Sequence, residues 1–135
     1  MTDSDVFFDS DPWLEVLRET PRGKRIGEKY RASRIHTSLL SLAELGAKLL
    51  ETGSPANEVE KAVALVERDS HAVYPLTVDD ARCSWRRRAE LRKAHPDAGL
   101  SDAMILCQAE RLGFPLVSAD KAFKGRKNVR PEHDE

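Results

Sequence analysis

Short apolar runs alternate along this chain with longer segments whose hydrophobic residues recur at helical spacing. Val6 to Phe8 and Phe114 to Ser118 are short runs of this kind, and Leu39 to Leu50 is a clear helical segment. Short, nearly continuous apolar runs are typical of strands that are buried on both faces. The alternation therefore predicts an α/β protein in which helices cover both faces of a parallel sheet.

We expect one domain, because 135 residues suffice for one full core and no internal repeat or low-complexity segment divides them. It spans residues 1–135, with a core at about 6–129 and a polar tail from Pro131 to Glu135. No segment approaches the ~20 apolar residues of a membrane span, and the acidic amino terminus is unlike a signal peptide. A cytoplasmic protein without a membrane partner is expected.

Four acidic residues lie where predicted strands and helices meet. They are Asp9, Glu44, Asp102 and Asp120. Ligands of parallel α/β sheets bind beyond the carboxyl ends of the strands, where Asp9 and Asp120 fall. Carboxylates that converge there repel one another, which raises their pKa values or recruits a cation. Oxygen ligands alone suit Mg²⁺ or Mn²⁺ rather than zinc, and such a site indicates phosphodiester chemistry.

Most of these acids have a local explanation when they are taken singly. Glu44 precedes Lys48 by four residues, the favourable orientation for a helical ion pair of ~0.3 kcal/mol. Asp102 lies in the first turn of a predicted helix, where the macrodipole favours negative charge. Asp120 can cap the turn that follows it. Capping does not explain why all the acids lie at the ends of different elements.

The first helix is predicted to begin at Asp11 and Pro12. Aspartate is a favoured N-cap and proline is favoured at the first helical position. If Asp11 is the cap, Asp9 is free for another role. A charged segment from Lys24 to Ala32 is expected to form a second short helix.

The remaining chemistry-bearing residues are assigned structural roles. Cys83 and Cys107 are far apart and fit no metal or disulfide framework, so reduced thiols are expected. Trp85 falls on an apolar stripe of a helix from Thr77 to about Ala94 and is predicted to be core. Trp13 is also predicted to be core, with a dimer or partner-protein surface as the alternative. The histidines are expected at surface or packing positions: His36, His71, His95 and His133.

The formal net charge of -1 creates no global positive field, so RNA contact would need a local basic patch. One basic cluster precedes Asp102 and consists of Arg86, Arg87, Arg88, Arg92 and Lys93. A second cluster follows Asp120 and consists of Lys121, Lys124, Arg126, Lys127 and Arg130. The first cluster is explained equally well as a solvent-exposed helix face and as an RNA-binding patch. The second cluster adjoins the predicted site, where it can contact RNA phosphates.

The segments around the acids resemble the four successive motifs of PIN-domain ribonucleases, most closely the prokaryotic VapC-type toxins. The resemblance runs from about Val6 to Val129. The matching segments are Phe7-Phe8-Asp9-Ser10, Ala43-Glu44-Leu45, Leu100-Ser101-Asp102-Ala103-Met104-Ile105-Leu106 and Leu116-Val117-Ser118-Ala119-Asp120-Lys121-Ala122-Phe123.

The resemblance implies a three-layer α/β/α fold with a mostly parallel sheet and a Mg²⁺- or Mn²⁺-dependent endoribonuclease. Asp9 and Asp102 match the principal metal ligands, and Glu44 and Asp120 match the acids that complete the cluster. Ser118 matches a hydroxyl residue that orients the last acid. A homodimer and a cognate antitoxin are also implied. Asp11 departs from the neutral residue usual in the family, which leaves an extra metal contact open beside the N-cap role.

Three other functions are weighed. A PIN nuclease of RNA maturation would carry the same acids, and a non-catalytic PIN module would be expected to lack one or more of them. Asp9 and Asp11 after an apolar strand also resemble the opening motif of haloacid-dehalogenase-type phosphatases, where the first aspartate is a nucleophile. That alternative gives Glu44 and Asp102 no role, and Pro12 stands where that family has a small or hydroxyl residue.

Overall fold

The computed structural model describes residues 5–131, which form a central sheet and the helices around it. The strands are β1 (Asp5–Phe8), β2 (Arg34–Ser38), β3 (Ala72–Tyr74), β4 (Leu116–Val117) and β5 (Val129–Arg130). The helices are α1 (Ser10–Leu17), α2 (Pro21–Lys29), α3 (Leu39–Glu51), α4 (Ala56–Asp69), α5 (Val78–Leu91) and α6 (Leu100–Leu112), and a short 3₁₀ turn spans Lys121–Phe123.

The strands form one parallel sheet in the order β3-β2-β1-β4-β5, so β1 is central. This arrangement confirms the predicted α/β class. All carboxyl ends of the strands lie at one edge, which is the edge where the site was expected. Within residues 5–131, no helix combines the length and apolar character that crossing a membrane requires.

The core has two parts, one on each face of the sheet, because successive side chains of a strand point to opposite faces. The first part joins the sheet to α5 and α6 and includes Phe7, Leu91, Leu106, Leu116 and Phe123. The second joins it to α1 to α4 and includes Val6, Phe8, Trp13, Leu45 and Val117. Helices on both faces give the three-layer architecture. Trp13 is buried as predicted, and its indole donates a hydrogen bond to Thr37.

The start of α1 corrects the predicted cap. Asp9, not Asp11, is the N-cap, and its carboxylate accepts a hydrogen bond from the amide of Ser10. Pro12 is tolerated at the third helical position because amides of the first turn have no intrahelical acceptor. The prediction assumed that proline occupies the first position. Asp11 lies instead in the first turn, on the helix itself.

The second helix begins earlier than predicted, at Pro21, and Thr20 caps it by accepting from the amide of Gly23. Gly23 is buried where α1 and α2 meet. A Cβ atom there would lie 2.0 Å from the backbone oxygen of Glu15, so the close packing of the two helices requires glycine.

Cys83 and Cys107 correct a second prediction, because they form a disulfide between α5 and α6. Their Cα atoms are 6.0 Å apart, which is within the range that disulfides bridge. The two cysteines are 24 residues apart in the sequence, which did not suggest a pair. They meet because α6 packs antiparallel to α5 after the turn that joins the two helices. Free cysteines are absent from the part of the chain that the structure describes.

The side of α5 that faces α6 is also different from the predicted one. Asp80 is buried there, accepts from the amide of Thr77 and forms a two-pronged ion pair with Arg111, at 2.8 and 3.0 Å. The apolar stripe with Trp85 faces outward, so the prediction of a core tryptophan was wrong. Trp85 is 60% exposed, and the Arg86 guanidinium lies 4.8 Å from its ring centroid.

We predict that loss of the disulfide destabilises the fold. Cys83→Ser should lower the free energy of unfolding by roughly 3 kcal/mol, the loop-closure value for a loop of this length. Urea denaturation without reductant measures the change, and reductant should destabilise the natural chain but not the variant. A thiol titration of the unfolded, unreduced chain that finds two free cysteines would contradict the assignment.

Candidate active site

Strand register fixes the position of Asp9. Phe8 pairs with Val117, and the amide of Asp9 donates to the carbonyl of Val117 at 3.0 Å. Asp9 and Ser118 therefore follow adjacent strands side by side. The Ser118 hydroxyl donates to Asp9 Oδ2 at 2.8 Å, while the amide of Ser10 donates to Oδ1 at 2.8 Å. The side chain is held from both sides, and Asp9 is only 6% exposed.

Ser118 also holds the backbone of the last acid. Its Oγ accepts from the amide of Asp120 at 3.1 Å, so one hydroxyl joins Asp9 to Asp120. The resemblance predicted a role for Ser118 in orienting the last acid, and the structure adds the bond to Asp9. Asp120 caps the 3₁₀ turn through Oδ1, which accepts from the amide of Ala122 at 2.9 Å.

Asp102 reaches the same edge from the amino-terminal turn of α6. Its Oδ2 accepts from the amide of Gly99 at 3.3 Å, and its carboxyl contacts that of Asp120. Buried residues such as Ala103 and Leu106 fix the helix against the sheet. The nearly continuous apolar sequence of α6 explains why the helix is buried on more than one side.

Glu44 completes the group from α3. Its charge acts on both Asp9 and Asp102, so it lies between the β1 and α6 sides of the cluster. The structure thus brings all of the predicted acids to one edge of the sheet. Lys48, four residues beyond Glu44, contacts α1 instead: its Nζ lies 2.8 Å from Ser10 Oγ and 3.2 Å from Asp11 Oδ1.

Burial and mutual repulsion raise the pKa values of two acids. Desolvation is the main cause that raises the pKa of Asp9 to about 7, and the charges of Asp11 and Glu44 add to it against the hydrogen bonds from Ser118 and Ser10. Desolvation followed by the charge of Asp120 raises the pKa of Asp102 to about 6. These carboxylates are ionised only at an energetic cost, which a bound cation would remove.

The donors fit a hard divalent cation. They are carboxylate oxygens, and two of the acids that carry them, Asp9 and Asp102, have raised pKa values. No three of the acids in this described part of the chain place ligand atoms within 4.8 Å of one another. Mg²⁺ fits such a spacing because it usually retains several waters beside one or two carboxylates.

Lys48 is a site residue that the sequence reasoning missed. Burial opposes its charge, but Asp11, Asp9 and Glu44 outweigh that effect and raise its pKa. Its spacing from Glu44 was interpreted as a surface ion pair. The informative signal was its position one helical turn beyond an acid of the cluster, on the same face of α3.

A cavity of about 240 Å³ adjoins the acids. Asp102 and Asp120 form one side of it, and His95, Asp97 and Lys121 line the remainder, with neighbouring alanine and proline residues. His95 was predicted to be a surface or packing residue, and the sequence offered no sign of its position here. His36 does pack as predicted, buried between Asp5 and Tyr74, and His133 lies outside the described residues.

Folding brings the two basic clusters together at one acid. Arg87 and Arg126, one from each cluster, both form ion pairs with Glu110. Lys127 lines a different cavity beside Phe114. Lys121 is the member that lines the cavity next to the acids. Three members of the second cluster, Arg126, Lys127 and Arg130, therefore contact other parts of the structure.

We predict that metal-free protein loses stability as pH rises through the raised pKa of Asp9. The folded state keeps a proton up to about pH 7, whereas the unfolded chain releases it near the ordinary value of 3.8. The free energy of unfolding should fall by roughly 2 to 3 kcal/mol between about pH 5 and pH 8. Asp9→Asn should remove most of that slope.

Urea denaturation with a chelator at several pH values measures this effect. Asp79→Asn, a change at an exposed aspartate of α5, is the matched control and should keep the natural slope. An Asp9→Asn variant with the natural slope would show that Asp9 titrates normally in the folded protein.

Comparisons with known proteins identify the family and the fold. A PIN domain family model matches residues 6–128. Comparison with curated protein sequences gave no match. Solved structures, in contrast, match over nearly the full length of both chains.

Three of these structures illustrate the similarity. A toxin–antitoxin complex from Klebsiella pneumoniae is 18% identical, with a TM-score of 0.72 and coverage of 96% of this chain and 99% of that one. VapBC2 from Rickettsia felis bound to promoter DNA is 14% identical, with a TM-score of 0.72 and coverage of 94% and 98%. Mycobacterium tuberculosis VapC20, a sarcin–ricin loop cleaving toxin, is 19% identical, with a TM-score of 0.70 and coverage of 93% and 99%. At these identities the likeness establishes the fold, and the match of the family model over residues 6–128 shows that the chain belongs to the PIN domain family.

Proposed function

We propose that this protein is an endoribonuclease that hydrolyses RNA phosphodiester bonds with Mg²⁺ or Mn²⁺. The observation that carries the proposal is the convergence of Asp9, Glu44, Asp102 and Asp120 at one sheet edge of a PIN domain. Two of these acids have raised pKa values, which is typical of functional sites. The non-catalytic alternative is disfavoured because the full set of acids is present.

Asp9 and Asp102 are the proposed direct metal ligands, with Glu44 and Asp120 completing the cluster directly or through water. A divalent ion bound there would lower the pKa of a coordinated water and neutralise the scissile phosphate. Ser118 keeps Asp9 in place by donating to Oδ2, and it holds the amide of Asp120 at the same time. Asp120 uses Oδ1 for its cap, which leaves Oδ2 for the metal or its water.

The remaining groups adjust charge at the site. Glu44 is half-buried, and we propose that its carboxylate accepts a hydrogen bond from the attacking water. Lys48 neutralises part of the acidic field and pairs with Asp11 through a 3.2 Å contact. That contact favours a supporting role for Asp11 over direct metal binding.

We further propose that the nuclease is the toxin of a toxin–antitoxin pair. Solved toxin–antitoxin complexes match it over nearly the whole length of both chains, including VapBC2 and the Klebsiella pneumoniae complex. An antitoxin partner, a homodimer and action on RNA in the cytoplasm follow from that proposal. A PIN nuclease of RNA maturation is the second candidate, since it would use the same acids on a different RNA.

The proposal predicts metal-dependent cleavage of RNA. Purified protein is incubated with a panel of structured RNAs in Mg²⁺ or Mn²⁺, with chelator as one control. Asp102→Asn should reduce cleavage by on the order of 100-fold or more because a metal ligand is lost. Asp79→Asn removes an exposed carboxylate outside the cluster and should cleave normally.

The outcomes separate the alternatives. Equal cleavage by the natural protein and a folded Asp102→Asn variant would place the activity elsewhere or in a contaminant. Cleavage that persists in chelator would refute the metal-dependent mechanism. The RNA that is cut distinguishes a toxin that inactivates translation from an enzyme that matures a precursor.

A further inference from the structure

We propose that the cavity beside Asp102 and Asp120 is a subsite for one RNA nucleotide next to the scissile phosphate. His95 would contact the base, Asp97 would accept a hydrogen bond from the base edge, and Lys121 would contact a phosphate. This inference rests on the proposed nuclease function and names residues that select the substrate. The cavity volume of about 240 Å³ is below the ~300 to 1,000 Å³ of pockets for drug-sized ligands, and it suits a single base.

Its position links the cavity to the reaction. Asp102 and Asp120 belong both to the acidic cluster and to the cavity wall. A nucleotide that occupies the cavity would therefore join its neighbour at a phosphate close to the proposed metal centre.

One wall is a fixed turn between α5 and α6. The Arg92 guanidinium donates to the carbonyl of Ala98 at 2.8 Å, and the amide of Ala98 donates to the carbonyl of His95 at 3.0 Å. The amide of His95 donates to Leu91 at 2.9 Å. Leu91 and Ala98 are themselves buried in the core. The ring of His95 is thus carried by a preorganised backbone.

The 3₁₀ turn forms another side of the cavity and is also held by a hydrogen bond and by burial. Asp120 caps the 3₁₀ turn, and Ala122 and Phe123 are buried beneath it. Lys121, which follows Asp120, is exposed, and within residues 5–131 it forms no ion pair. An ammonium group without a protein partner, next to a proposed phosphodiester site, suits contact with an RNA phosphate.

The lining also predicts which bases fit. Histidine rings stack on the unpaired bases that sequence-specific RNA recognition targets. A carboxylate such as that of Asp97 accepts from an exocyclic amino group, as acidic residues do from cytosine N4. Uracil has no exocyclic amino group and offers only its ring N3–H on that edge, so the subsite should bind adenine, cytosine or guanine more tightly than uracil.

Binding is tested first without cleavage. Nucleoside 5′-monophosphates are titrated into the protein with Mg²⁺, and the His95 ring proton is followed by NMR, assigned with His95→Gln. We expect a shift at His95 and binding of UMP at least about 3-fold weaker than that of the best amino-bearing nucleotide. Lys121→Ala should weaken binding about 5-fold through loss of the phosphate contact. Lys61→Ala and His71→Gln, at exposed positions away from the cavity, should bind normally.

Cleavage then separates this inference from the proposed function. Asp97→Asn and His95→Ala should raise KM and relax base preference at one position beside the cut, with kcat changed less. An active nuclease whose variants keep both KM and base preference would overturn the subsite alone. Nucleotide shifts confined to other histidines, or equal binding of all four nucleotides, would also overturn it. Binding at His95 without any RNA cleavage would overturn the nuclease and leave a nucleotide site.

Discussion

The buried carboxyl of Asp9 at the end of the central strand is the feature on which the site depends. Parallel pairing of β1 with β4 places it beside Ser118, whose hydroxyl bonds both to Asp9 and to the backbone of Asp120. A shift of this register by one residue would reverse the faces of the strand and separate these groups. The fold therefore holds Asp9 where burial raises the free energy of its ionised form, and a bound cation would offset that cost.

Each of the two core layers positions a different set of site residues. The layer with α1 to α4 places Glu44 and Lys48, while the layer with α5 and α6 places Asp102 and the turn that carries His95. The disulfide and the Asp80–Arg111 pair fasten α5 to α6. Since α6 carries Asp102, these contacts also hold one side of the acidic cluster in place.

The fold and the convergence of the acids could be predicted because both follow from local sequence. Apolar strands, helical periodicity and acids at element ends are visible residue by residue. The contacts that were missed depend on tertiary packing. Antiparallel packing of α5 and α6 brings Cys83 to Cys107. The face of α5 that packs against the protein carries Asp80, whereas the apolar pattern had predicted the face with Trp85. His95 likewise has sequence neighbours that do not indicate its position at the site.

Calorimetric titration of the protein with Mn²⁺ near pH 6.5, in two buffers of different ionisation enthalpy, tests the central claim most directly. If Asp9 and Asp102 are the ligands, binding must displace their protons, because metal ligands bind deprotonated. We expect release of about one proton for each ion bound, with binding abolished in Asp102→Asn. Binding that releases no proton and persists in that variant, or no binding at all, would contradict a metal centre built on these carboxylates.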